Sequence, residues 1–450
     1  MKSKNRNTVS TKKTLTLNVM RTLFNILILL IAASHQMLAQ NPIPADESNL
    51  SVLLTNATIF AEDQVYENGV LGIRDGKIEF VGDAATARVD PNKFDTILNF
   101  EGKNIYPGLI AMNTTLGLTE IAAVRATKDH HETGDFNASS RSVIAYNTDS
   151  RVTPTIRTNG VLLAQVIPQG GRVSGTSSVM ELDGWNWEDA VYAMDEGIHI
   201  NWPSQVIKVT DDEQKQAKQE QKNANDLKEL RKFFTDAKAY ASISDPSQTN
   251  IQFESLKSCF EGEKNVYVHC DHMKDILLAI DFSKEMKISM VLVGGQDSWR
   301  VTNELKSADI PVVIINSHRL PMREDSEIYL PYKLPKILSD AGVEFAIGTK
   351  GFWQVRNLPF QAGTSAAFGL PKEEALKAIS LYPARIMKID EKVGSIKEGK
   401  DATIIVTDGD ILDMKSSVVN FAMIRGKFIH LESIQTLLYR KYMDKYNLSY

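Results

Sequence analysis

Residues 104–118 read Asn-Ile-Tyr-Pro-Gly-Leu-Ile-Ala-Met-Asn-Thr-Thr-Leu-Gly-Leu. A β-branched and aromatic lead-in, Ile105 and Tyr106, meets Pro107-Gly108, a pair that interrupts regular structure. A short apolar strand, Leu109 to Met112, then runs into Asn113-Thr114-Thr115 and a turn broken by Gly117. The two sides of Pro107-Gly108 have different textures, and the fold follows from that difference.

Upstream, residues 51–106 read as short strands joined by turns, with Asp75-Gly76 between alternating apolar residues as a hairpin signal. Residues 393–430 repeat this texture, and Arg425-Gly426-Lys427 reads as another turn. β-Rich segments at both ends of a long middle predict one small β-sandwich assembled from two chain halves, 48–106 and 389–432. Between them, 107–388 alternates apolar runs with helical stretches. The runs are Gly160–Pro168, Val266–His269, Ser289–Gly295, Pro311–Asn316 and Val343–Gly348; the helices are Asp271–Met286, Trp299–Ala308 and Leu334–Ala341. That alternation is the pattern of a parallel sheet with crossover helices, and its length suits a TIM-type (β/α)8 barrel of roughly 250 residues. Residues 211–241 are polar, but Leu227, Leu230, Phe234 and Ala237 recur at helical spacing, which predicts a solvated helix with one narrow buried stripe. Residues 433–450 predict a last amphipathic helix.

With 450 residues, 43% hydrophobic and 24% charged, the composition is that of a globular protein with a large core. Residues 1–39 stand apart. Lys2, Lys4, Arg6, Lys12, Lys13 and Arg21 precede an apolar run at 23–33 and then small residues, the layout of a secretory signal peptide. The run is shorter than the ~20 residues that span a bilayer, so the expectation is an exported protein, periplasmic or extracellular, with no membrane attachment after cleavage. Removing this segment, which holds six Lys/Arg and no Asp/Glu, takes the formal charge from −5 to −11. Such a charge argues against binding nucleic acid or anionic lipid. The two cysteines, Cys259 and Cys270, can pair in an oxidising compartment or stand as buried apolar thiols, the commoner state in a large core.

Several motifs carry a family resemblance. Pro107 to Leu116 resembles the first barrel strand of the amidohydrolase superfamily, Pro-Gly-[Leu/Phe]-Ile-Asp-x-His-x-His-Leu, and Gly394–Ala402 resembles its Gly-Ser-[Ile/Leu]-x-x-Gly-Lys-x-Ala segment. Pro371–Arg385 is similar to the helix that follows the last barrel strand. Val166–Ser178 together with Leu182–Glu188 resembles the exported imidazolonepropionase-like group. The resemblance implies a (β/α)8 barrel beside a composite β-sandwich, and hydrolysis of carbon–nitrogen bonds other than peptide bonds. It also implies one or two divalent ions, typically zinc, held by two His on strand one, a His each on strands five and six, and an Asp on strand eight.

In this chain the strand-one ligands fall on Asn113 and Thr115, strand five keeps His269, strand six ends in Gly294-Gly295, and strand eight carries Lys350 where Asp is implied. Amide and hydroxyl oxygens are poor zinc ligands, and an ammonium has no acceptor at all. The expectation is therefore no cofactor, with zinc only in a rebuilt site such as His130, His131 and His269. A metal-free set would use His269 as base, Lys350 as electrophile and Asp271 as orienter, and general acid–base groups alone supply ~10²–10⁴-fold. The expected pocket is floored by Asn113, Thr115, His269 and Lys350, with Gly170 and Gly171 at its mouth. A catalytically degenerate amidohydrolase follows, binding a small molecule, with a carboxylate suited to Lys350. It could assemble with itself or with an intact amidohydrolase. The alternatives are an active hydrolase of a cyclic amide with a rebuilt site, and a plain periplasmic solute binder.

Overall fold

The computed structural model of the chain describes residues 43–47, 50–207 and 212–448. The signal segment expected at 1–39 lies outside them. Strands β1 (Val52–Phe60), β2 (Val65–Arg74), β3 (Lys77–Asp83), β4 (Thr96–Asn99) and β5 (Asn104–Pro107) open a first sheet. The barrel strands follow: β6 (Leu109–Thr114), β7 (Val161–Val166), β8 (Val173–Glu181), β9 (Val191–Asn201), β10 (Asn265–Cys270), β11 (Met290–Gly294), β12 (Val312–Ile315) and β13 (Phe345–Gly348). Then β14 (Ile404–Thr407), β15 (Val419–Ile424) and β16 (Lys427–Phe428) return to the first sheet, whose order is β16-β15-β14-β5-β1-β2-β3 with β4 on β1.

The two halves of the chain meet on β5. It pairs in parallel with β1 and antiparallel with β14, so Tyr106 faces Ile405 and Pro107 faces Ile404. Val52, Leu54, Ile59, Leu71, Ile105, Ile404 and Met423 close one apolar core between the halves. Asp75 (φ 50°) and Gly76 (φ 74°) form the β2–β3 turn, and Arg425 (φ 47°) and Gly426 (φ 76°) form the β15–β16 turn. Positive φ at both central residues is the type I′ geometry that matches the strand twist. These two turns pack back to back. A Cβ on Gly426 would lie 2.7 Å from Cα of Gly76, and a Cβ on Gly76 would lie 2.7 Å from the Arg425 carbonyl oxygen. Ala402 joins them: its N–H donates to Gly76 O (2.8 Å) and its carbonyl accepts from Gly426 N (3.0 Å).

Past Pro107-Gly108 the chain changes sheets. Gly108 N still donates to Thr403 O (2.9 Å), but Leu109 N donates to Gly160 O (3.0 Å), already in the barrel. All of β6 is buried. The eight barrel strands lie in sequence order, and the ends of the row approach through Thr349 N to Met112 O and Thr115 N to Gly351 O, both 3.1 Å. The architecture is thus the expected TIM-type barrel beside a composite sandwich, with one departure from an all-parallel sheet. Strand β8 runs antiparallel to both β7 and β9. Only residues 167–172 separate β7 from β8, and a parallel return needs a crossover of roughly a dozen residues or more.

The helix Glu213–Ala241 buries Leu230, Phe234 and Ala237, leaves Leu227 partly covered, and starts on an Asp212 cap. Helices Met273–Met286, Thr302–Ser307 and Leu330–Ala341 cross over between the later strands, and Ile434–Tyr446 starts on a Ser433 capping box. Both cysteines are free thiols. Among the described residues no helix is long and apolar enough to cross a membrane.

The paired turns give a test of the composite sheet. Gly426→Val has to adopt φ 76° against the Gly76 backbone, and it should cost about 1–3 kcal/mol. Gly82→Ala, with open space around the new methyl, should be near neutral. Urea midpoints of the two variants check this, and equal midpoints would remove the back-to-back account.

Candidate binding site at the barrel mouth

The carboxyl ends of the barrel strands enclose a cavity of about 540 Å³. Its floor begins at Asn113. The β6–β7 register slips between Ala111 and Thr114, and Asn113 takes φ 60° in that bulge, a conformation that Asn tolerates better than most residues. Its N–H donates to Gln165 Oε1 (3.0 Å) and its Nδ2 to Thr349 O (3.0 Å). Those contacts fix the amide's orientation and leave Oδ1 buried with no partner. Thr115 does not reach the cavity. It is buried at the β6–β13 seam, its N–H given to Gly351 O.

Two cations and one carboxylate face the space. Lys350 follows β13 and lines it, exposed, and no described carboxylate pairs with its ammonium. Arg319, from the loop after β12, donates to Gln296 Oε1 and Leu320 O, while its Nε is buried without a partner. Asp271 accepts from Gln296 N at 3.3 Å. It makes no hydrogen bond to His269, so the expected base–orienter pair is not formed. Gly294 ends β11 at φ 95°, where a Cβ would lie 2.6 Å from Asp271 Oδ1, so strand six has no room for a ligand side chain. Gly170 lines the rim, and Gly171 is held just behind it by Asn201 Nδ2 (2.8 Å).

His269 lies on the floor with one ring nitrogen already engaged: its Nε2 is 2.9 Å from Nδ1 of His199. Burial, and next the Lys350 charge, push its pKa down to about 4. His199 is likewise driven well below its usual value, by burial and then by His269. Both rings are neutral near pH 7. His199, Glu196, Ser177, Arg319 and Asn201 escape a motif-based reading. Strand β9, which carries three of them, is broken by Asp195 at φ 53°, so its alternation covers only Gly197–Asn201. That alternation, Ile198-His199-Ile200, was the available signal.

The donors present do not suit a divalent ion. Of the five positions implied for ligands, Asn113 offers only a buried neutral amide oxygen, a poor zinc ligand, Thr115 is off the cavity, Gly294 has no side chain and Lys350 is cationic. His269 alone remains. The rebuilt set is not assembled either: His130 Nδ1 bonds to Thr119 Oγ1 (2.9 Å), and the His131 ring lies against Gly170. Among the described residues no three of His, Cys, Asp and Glu gather to hold a metal.

Comparison with known proteins places these features in context. The family model described as the amidohydrolase family matches residues 173–429. The amidohydrolase tasK of Hapsidospora irregularis is 22% identical over 175 residues, 38% of this chain and 18% of that protein. A 5-methylthioadenosine/S-adenosylhomocysteine deaminase of Acetivibrio thermocellus is 37% identical over 73 residues, 16% of this chain and 17% of that protein. The matched stretches thus span less than a fifth of either curated relative. Among solved structures, an amidohydrolase from Thermotoga maritima MSB8 superposes with a TM-score of 0.71 at 22% identity, covering 84% of this chain and 99% of that one. Molinate hydrolase superposes at 0.53 with 12% identity, covering 86% and 96%. At these identities the likeness is one of fold.

The neutral histidines set a pH dependence. A ring that titrates near 6.5 when unfolded and near about 4 when folded binds its proton first in the unfolded chain. The stability contribution is therefore complete above about 6.5 and is lost as the pH falls toward about 4. Urea unfolding across that window should show the decline, and His269→Asn should make it shallower, leaving the His199 share. An unchanged slope would assign the proton uptake to other groups.

Proposed function

This chain belongs to the amidohydrolase family, and on that premise we propose that it keeps the barrel mouth as a pocket for a small carboxylate and has given up metal-dependent hydrolysis. The observation that carries the reading is the charge at the end of β13. Lys350 stands where the family motif implies an aspartate, and it faces the cavity together with Arg319. A divalent ion about 4 Å from an ammonium is opposed by roughly 8 kcal/mol at an effective dielectric near 20. The same ammonium attracts an anion, and the Arg319 guanidinium, one nitrogen of which is held by Gln296 and Leu320, adds a second positive charge to the lining. Asp271 balances only one of the two cations, and Asn113, Asn201, Asn316, Gln169 and Gln296 add neutral amides to the lining. Such a pocket orients a polar ligand by hydrogen bonds while the net positive charge selects its sign.

The family's catalytic logic asks for an electrophilic metal and a carboxylate that takes a proton from water. Here the aspartate position is a cation. The remaining acid, Asp271, is held by the Gln296 backbone, and His269 is engaged with His199. Binding without turnover is what these residues support.

Metal analysis and calorimetry together test the reading. The purified full chain should retain zinc far below one ion per molecule after dialysis. Small mono- and dicarboxylates should bind, and Lys350→Ala should weaken them roughly tenfold, the equivalent of ~1.4 kcal/mol. Stoichiometric zinc together with unchanged carboxylate affinity in Lys350→Ala would sink it.

A further inference from the structure

Beneath the cavity floor the barrel interior carries a chain of polar contacts that ends on a carboxylate. Glu196 Oε1 accepts from Ser177 Oγ (2.5 Å) and Gln165 Nε2 (2.7 Å), and its Oε2 accepts from Tyr267 OH (2.7 Å). Ser177 in turn meets His199 Nε2 at 2.8 Å, and His199 Nδ1 meets His269 Nε2 at 2.9 Å. Ser177, His199, Gln165 and Tyr267 are all buried, and His199 is clamped flat on Tyr267, the rings 4.6 Å apart and 8° from parallel. A buried polar group left unpaired is costly, so every proton in this chain has an assigned place.

Burial raises the Glu196 carboxyl above its usual range, while Ser177, Gln165 and Tyr267 all donate to it and favour the ionised form; with Glu196 ionised the chain has one consistent direction. Ser177 has a single proton and two oxygen acceptors beside it, Glu196 Oε1 at 2.5 Å and Gly197 O at 3.2 Å. Its proton goes to them, and its lone pairs can only accept from His199 Nε2–H. A neutral imidazole has one N–H. His199 Nδ1 is thereby an acceptor, and the bond to it must come from His269 Nε2–H. The other nitrogen of His269, Nδ1, is left without a proton. His269 lines the cavity, and with Nε2 turned to His199 it meets that space with a bare lone pair.

A second, independent acceptor lies at the same floor. Asn113, only 5% exposed, lines the cavity, and its Oδ1 has no partner. Lys350 and Arg319 supply positive charge, and Arg319 Nε is likewise unpartnered. The floor thus presents two hydrogen-bond acceptors, His269 and Asn113, and the two cations of the lining face only one carboxylate, Asp271.

We infer that Glu196 is a positioning residue which, through Ser177 and His199, holds His269 as a hydrogen-bond acceptor, so that the pocket selects carboxylic acids bearing an N–H or O–H donor. Acids of the 2-hydroxy and N-acyl-amino classes have this form; simple acids and O- or N-methylated forms do not. The inference rests on the reading of the cavity as a carboxylate pocket and adds what else the ligand must carry.

Two measurements on the full chain test it. In protein labelled with 15N-histidine, long-range proton–nitrogen correlation shows which ring nitrogen carries hydrogen, with His199→Asn and His269→Asn giving the assignments. Both rings are expected as the Nε2–H form near neutral pH. A His269 ring protonated on Nδ1 overturns the positioning chain. Calorimetry then compares a 2-hydroxy acid with its O-methyl ether. The ether should bind about tenfold more weakly to the native chain, the typical worth of one hydrogen bond. The gap should close in Ser177→Ala and return in Ser177→Thr, which restores the hydroxyl. Equal binding of acid and ether to the native chain overturns the selectivity alone. Failure of every acid to bind overturns the carboxylate reading as well. Both native-chain measurements decide the matter whether or not Ser177→Ala folds.

Discussion

Backbone pairing along residues 104–109 is the constraint on which this molecule depends. Over those residues the chain completes the hydrogen bonds of β5 with β1 and β14, gives Gly108 N to Thr403, and then gives Leu109 N to Gly160. One extended segment is thereby a central strand of the sandwich and the first strand of the barrel. The residues on either side of the step are fully buried, so neither sheet can shift register without exposing apolar side chains from the other. The clip of Gly76, Ala402 and Gly426 holds the far edge of the sandwich in the same manner, by contacts too close for any Cβ.

That rigidity is carried straight into the site. Strand β6 ends in the Asn113 bulge, whose amide is bonded on one side to Gln165 and on the other to Thr349. The barrel seam and the cavity floor are consequently the same set of hydrogen bonds. A histidine at position 113 would have to adopt φ 60° and would lose the Nδ2 bond to Thr349 O. The Asn113 side chain thus closes the seam at a position where the resemblance implies a metal ligand. Lys350 completes the change, since the end of β13 carries a cation where the resemblance implies a carboxylate. Asp271, pinned beside Gly294, is left as the one opposing charge on the lining.

Beneath the floor the inversion of β8 matters chemically. Because β8 runs antiparallel between β7 and β9, Ser177 is brought opposite Gly197. It can then stand between Glu196 and His199 and couple a carboxylate on β9 to a histidine on β10. In the interior of a barrel a connected polar network is costly to leave incomplete, and here it is connected from Glu196 up to the cavity.

The sequence by itself determined much of the frame. Pro107-Gly108, the Asp75-Gly76 and Arg425-Gly426 turns, the apolar runs of the later barrel strands and the stripe Leu230, Phe234, Ala237 are local patterns. Local sterics and periodicity dictate what such patterns become. The loss of ligand chemistry at Asn113, Gly294 and Lys350 was legible for the same reason, because residue type alone limits what an atom can donate or accept. Only the tertiary structure decided which of these residues share a space. Thr115 is two residues from Asn113 yet buried at the seam, His130 turns to Thr119, and Arg319 arrives from a loop with no motif to mark it. The chain from Glu196 to His269 joins residues on three strands. Hydrogen bonds of that kind depend on the pairing of strands, which no local window contains.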